Sequence, residues 1–233
     1  MRIFRKLRQS LIKEGNFRKY LTYAVGEIFL VMIGILLALQ VNSWNTQQIK
    51  RKAENASYAN IKRQINEDKN LVIGNIDYNN LYLKQYQFAA EIIEANDRNQ
   101  IDTLGYIVLN LAKYSDVHRN STIYQNLANS GELRLLSNQE VIKSLQRLEE
   151  TYTYMNRMEK IHFDAILLGI VTDIHMVMKY SDRSVQVPDK LYGYQFQNHF
   201  LAMMGIMKEK DEVYNRAVNE IDAITELIQK ELE

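Results

Sequence analysis

Ala24 to Val41, AVGEIFLVMIGILLALQV, follows a strongly basic N-terminus and carries no charged side chain after Glu27. A run of this kind constrains a chain more than any other feature. It must be helical, and its apolar surface must meet either lipid or other protein. With its flanks, Leu21 to Val41 supplies the roughly 20 residues a helix needs to cross a hydrocarbon core. The apolar residues from Ile28 to Val41 each favour insertion by about 0.3–0.6 kcal/mol, together roughly 3–6 kcal/mol. A carboxylate at mid-bilayer costs about 2.5–3.5 kcal/mol, and Glu27 lies near one end, where the cost is lower. Insertion therefore wins by a modest margin. Tyr20 and Tyr23 on one side and Trp44 on the other form the aromatic edges expected at headgroup level.

Charge predicts the orientation. Arg2, Arg5, Lys6, Arg8, Lys13, Arg18 and Lys19 precede the span, whereas the nearest cations after it are Lys50, Arg51 and Lys52. This bias predicts a single-pass protein of the inner membrane, its N-terminus cytoplasmic and its C-terminal part periplasmic. A cleaved signal peptide is the competing reading, with Val41-Asn42-Ser43 as a weak small-residue site. The basic region is too long and the apolar core too extended to favour it.

Composition narrows the remainder. There is no cysteine, which excludes disulfides and thiolate metal sites. One proline and nine glycines in 233 residues point to long helices. Beyond the anchor, acids outnumber bases, which argues against a nucleic-acid partner.

Along the chain, Met1 to Lys13 reads as an amphipathic helix, with Ile3, Phe4, Leu7, Leu11 and Ile12 on one face. Arg2, Arg5, Lys6 and Arg8 lie opposite, where with Arg18 and Lys19 they suit an anionic leaflet. The membrane helix meets no Pro or Gly until Gly74, so it is expected to continue as a stalk to about Ala95. Asn96-Asp97-Arg98-Asn99 breaks it. Asp102 is expected to cap a helix through about Tyr114, and Asn120 or Ser121 another that stops at Gly131. Ser137-Asn138-Gln139-Glu140 reads as a capping box opening a helix to about Tyr180, bent at Gly169. Ser181 to Gly193 is the expected loop, and Asn198 to Leu232 the final helix. The predicted fold is all-α. An N-terminal amphipathic helix (1–20) and one transmembrane helix (21–43) lead into a long stalk (44–97). A periplasmic antiparallel helical bundle (98–233) follows.

Gly26-Glu27-Ile28, Val31-Met32-Ile33-Gly34-Ile35-Leu36 and Ala38-Leu39-Gln40-Val41-Asn42-Ser43-Trp44-Asn45 form one block, preceded by Phe4-Arg5-Lys6-Leu7-Arg8. This block resembles an uncharacterised family of single-pass membrane proteins of Bacteroidota. Its members carry a basic FRK-like helix followed by GEI-x-LV-x-IGIL-x-ALQ-x-N-x-WN. Thr122-x-Tyr124-x-x-Leu127-x-x-Ser130-Gly131-x-Leu133 resembles a later segment of the same family. The resemblance covers about the first 45 residues and that short stretch. It implies an inner-membrane anchor and a helical periplasmic region, and brings no activity.

The candidate site residues lie mostly in the anchor. Glu27, Gly34, Ala38 and Val41 share a helical face, and Gly34-x-x-x-Ala38 is a small-xxx-small pair that permits close helix approach. Glu27 is either a carboxylate acting at a helix interface or a shallow residue that snorkels or pairs with Arg18 or Lys19. Gln40, Asn42, Trp44 and Asn45 cluster at the outer end, where polar groups hydrogen-bond across helices or meet water. His162, Asp164, Asp173 and His175 are the group most like metal ligands by type. They fall on opposite faces of one predicted helix, so no metal or cofactor is expected. Tyr152, Tyr154, Tyr192 and Tyr194 either line a ligand pocket or fill gaps between helices. Met176, Met178, Met203, Met204 and Met207 read as core filler. No nucleotide-binding loop or nucleophile elbow is present. The expected function is non-enzymatic: association with the lipid bilayer and with a second copy (a homo-oligomer) or another envelope protein. The alternative is a periplasmic small-molecule sensing module that signals through a separate partner.

Overall fold

The computed structural model describes residues 17–114 and 123–233. Helix accounts for 88% of the structure, so the all-α prediction holds. Helix α1 runs Phe17–Glu94, followed by α2 (Ile101–Asn110), α3 (Ile123–Ser130) and α4 (Gln139–Ala165). A π-helical turn, Ile166–Ile170, joins α4 to α5 (Val171–Val177). Two short strands, β1 (Met178–Lys179) and β2 (Ser184–Val185), pair antiparallel, and α6 (Pro188–Leu191) and α7 (Tyr194–Leu232) complete the chain. The predicted amphipathic helix, with Arg2, Arg5, Lys6 and Arg8, and the caps Asn120 and Ser121 lie outside the described residues.

Two compact units are present, Met1–Ala53 and Glu54–Glu233. In the first, the apolar stretch of α1 is uncovered. Ile28, Leu30 and Val41 are 69%, 70% and 65% exposed, and a Cβ added to Gly26 or Gly34 would meet nothing. This is one helix long and apolar enough to cross a membrane.

The second unit is built around α1, α4 and α7. Lys62 to Gln229, Lys69 to Asp222 and Asn79 to Asp211 are hydrogen-bonded pairs, so α7 runs antiparallel to α1. Tyr58 accepts from the Asn138 backbone and Tyr152 donates to Asp68, so α4 runs parallel to α1. Each helix contributes an apolar stripe at three- and four-residue steps, as in Val213, Ala217, Ile221, Ile224 and Ile228 of α7.

The predicted break after the first helix is present. Asn96 adopts a left-handed φ of 48°, and the Asp97 side chain accepts from Asn99 N at 3.1 Å. Several boundaries differ from expectation. Asp97 caps a short 3-10 turn, Arg98–Gln100, that leads into α2, and Gln100, at the N-cap of α2, makes no side-chain cap bond; Asp102 is not a cap but sits inside the first turn of α2, where its charge suits the helix dipole, and α2 ends at Asn110. The cap of α4 is Asn138, which accepts from Glu140 N and Val141 N at 2.9 and 3.2 Å. Ser137 instead gives both its N–H and its hydroxyl to Glu54, at 2.7 and 2.5 Å. At Gly169 the chain forms the π turn. The predicted loop 181–193 holds β2 and α6, with Pro188 at the first helical position, where its missing N–H is no loss.

Gly105 has a packing role. A Cβ there would lie 2.7 Å from Val185 Cγ2, so α2 approaches the hairpin as closely as only glycine allows.

Candidate functional site

The core of the second unit is two apolar clusters rather than one. The first gathers Tyr58 to Val72 of α1, Val141 to Met155 of α4 and Val213 to Ile228 of α7. The second gathers Tyr82 to Ile93 of α1, residues of α2, Ile166 to Met178 and Phe196 to Met207 of α7. Between Met155 of α4 and Ile166 of the π turn, and between Met207 and Val213 on α7, stand Glu159, His162 and Lys210. These three are 1%, 0% and 0% exposed.

Their geometry is specific. Lys210 Nζ donates to Glu159 Oε2 at 3.0 Å and lies 3.0 Å from His162 Nδ1. The Tyr214 hydroxyl donates to Glu159 Oε1. An ammonium can only donate, so Nδ1 must accept and the imidazole proton sits on Nε2. Nε2 is buried and has no hydrogen-bond partner among the described residues. Tyr114 closes the layer edge-on, its ring centroid 5.5 Å from that of His162, and the Lys210 ammonium lies 5.9 Å from the Tyr114 ring. On α1, buried Asn79 donates to Asp211, the neighbour of Lys210, at 2.9 Å. Burial raises the Asp211 carboxyl above its ordinary range, against the opposing pull of Asn79 and Lys210. Burial, then the Lys210 charge, lower the His162 imidazole to about 3.

A charged pair inside an apolar core is costly unless each partner is satisfied. Here Glu159 accepts from both Lys210 and Tyr214, which makes the layer tolerable. With all four side chains buried, the layer holds charge between helices rather than presenting it to solvent.

The sequence singled out His162 but not its partners. Their signal was present: Lys210 interrupts the α7 stripe Met203, Met207, Val213, Ala217 at a core position, as Glu159 does on α4. The other suspected ligands separate. Asp164 pairs with Lys160, Asp173 binds Gln195 and His199 at 2.7 and 2.5 Å, and His175 stacks edge-on against Tyr180. The tyrosines also disperse. Tyr152 donates to Asp68 in the core, and Tyr154 donates to Glu209 at the surface. Tyr192 donates to the Asp97 carbonyl, and Tyr194 is 80% exposed. Met178, Met203 and Met207 are buried as expected, whereas Met176 is exposed. Surface depressions along α7, lined by residues such as Glu212, Arg216 and Asn219, are open to solvent.

The anchor residues lie along one helix. Gly34, Ala38, Gln40, Asn42, Trp44 and Asn45 are exposed, as is Arg18, while Glu27 is partly covered. Asn42 accepts from the Thr46 hydroxyl through its carbonyl at 2.9 Å. The side chain of Lys19 is outside the description.

Fold and site define a helical protein with one segment able to span a membrane and a charged layer in its packed unit. No protein family, curated protein or solved structure matches the chain.

Proposed function

We propose that this is a single-pass inner-membrane protein, N-terminus cytoplasmic and helical bundle periplasmic, that works by association rather than by catalysis. Its partner is a second copy or another envelope protein. The observation that carries the reading is the uncovered apolar surface of α1 from Ile28 to Val41, on a chain whose other long helices bury theirs. Contiguous exposed apolar surface of that extent marks a membrane or protein contact. The resemblance of the same block to the Bacteroidota membrane family supports the anchor. The Glu27–Gly34–Ala38 face is the proposed helix-packing surface, and among the described residues nothing lies within 4 Å of a Cβ added at Gly34.

The test is the Gly34→Ile/Ala38→Ile double variant, compared with wild type by cross-linking in membranes and by native mass in mild detergent. The bulky pair should block close approach and abolish the complex while leaving insertion unchanged. A wild-type chain that is monomeric and carries no co-purifying protein overturns the reading.

A further inference from the structure

We propose that the Lys210–Glu159–His162 layer is an acid-sensitive joint. Uptake of a proton by His162 opens the contact between α4 and α7 at this level while the apolar core through Ala217 to Ile228 stays closed.

The argument is geometric. His162 accepts at Nδ1 from an ammonium 3.0 Å away, so the neutral ring is part of the lysine's own solvation. Protonating Nδ1 removes that bond and sets two cations against each other in a site without water access. Among the described residues, these groups surround the layer. From α4, Glu159 already serves Lys210 and Tyr214. From α7 come Lys210 itself and Tyr214, whose hydroxyl is committed to Glu159. Beyond α2, Tyr114 presents a ring edge. On α1, the Asn79 amide donates to Asp211, the neighbour of Lys210, and its buried Oδ1 has no partner among the described residues. Nε2, the other ring nitrogen, already holds its proton with no acceptor among the described residues. The charged ring therefore stands beside the Lys210 ammonium without the bond that held the two together, and moving it out of the layer relieves that repulsion.

The direction of the pH effect follows. The folded imidazole is lowered to about 3 from 6.5. A group whose folded pKa is depressed contributes stability that is complete above the unfolded value. That stability drains away as the pH falls from 6.5 towards 3. The opened layer, not the closed one, takes up the proton, so acid selects it.

The test is hydrogen exchange by mass spectrometry on the full chain in detergent micelles, corrected for intrinsic rates, from about pH 6.5 down to about pH 4. Protection of peptides covering Met155–Ala165 and Met207–Tyr214 should fall about tenfold per pH unit, as expected for uptake of one proton on opening. Protection over Ile221–Ile228 should not follow. His162→Asn keeps an acceptor for Lys210 and cannot titrate in this range, so its protection at the layer should be independent of pH. A wild type without the slope, or a His162→Asn chain that retains it, overturns the proposal. Should His162→Asn not fold, the imidazole resonances of the wild type decide. A His162 signal that titrates near its ordinary pKa with the layer closed overturns the joint. One that stays silent until the layer opens supports it.

Discussion

The ammonium of Lys210 is costly to bury, because it is fully enclosed and retains no contact with water. Glu159 and Tyr214 make it tolerable, and removing one member should hurt more than removing the pair. Glu159→Gln leaves Lys210 without its counter-charge and should destabilise the folded chain by about 3–5 kcal/mol. Lys210→Met should do the same to Glu159. Combined, Glu159→Gln/Lys210→Met should recover part of that loss, since neither charge remains to be desolvated. Denaturant melts of the three variants measure this, and additive losses would show that the side chains are not coupled. The pair was hard to read from the chain because its members stand 51 residues apart. Only the placement of each in an otherwise apolar stripe hints at it.

Elements were legible wherever periodicity was long. The stripe of α7, the apolar run of α1 and the polar break at Asn96 each extend over enough residues to outweigh local ambiguity. The region after Val177 did not. A two-residue strand has no period to detect, and β1 and β2 exist because Met178 and Val185 pair across the turn and pack against α2. Gly105 is the point of contact. Alanine in a helix would ordinarily gain roughly 1 kcal/mol over glycine. Here the added Cβ meets the stiff Val185 side chain, so Gly105→Ala should instead lose about 1–3 kcal/mol. Val185→Ala in the same chain should restore it. A stabilised Gly105→Ala in thermal unfolding would mean that the hairpin yields at little cost. The cap of α4 shows the same limit: Ser137 and Asn138 are both good N-cap residues, and the choice fell to Asn138 because Glu54 of α1 engages Ser137.

For the whole molecule, the proposed arrangement predicts which segments face which compartment. A periplasmic alkaline phosphatase fused after Gly131 should be active, and one fused after Gly15 inactive, because the cations preceding the span favour cytoplasmic retention. The opposite pattern of activity would invert the proposed topology.

The sequence by itself determined that the described residues are overwhelmingly helical, that an apolar segment lies early in helix α1, and where that helix ends. These are properties of composition and short-range periodicity, and each is expressed within a single helix. The tertiary structure alone decided that α4 runs parallel to α1 and α7 antiparallel to both. It also decided that the core divides in two, and that Lys210, Glu159, His162 and Tyr214 meet at the division. Register between helices arises from contacts between residues far apart in the chain. A lysine in an apolar stripe reads as an anomaly until the carboxylate and imidazole of another helix are brought against it.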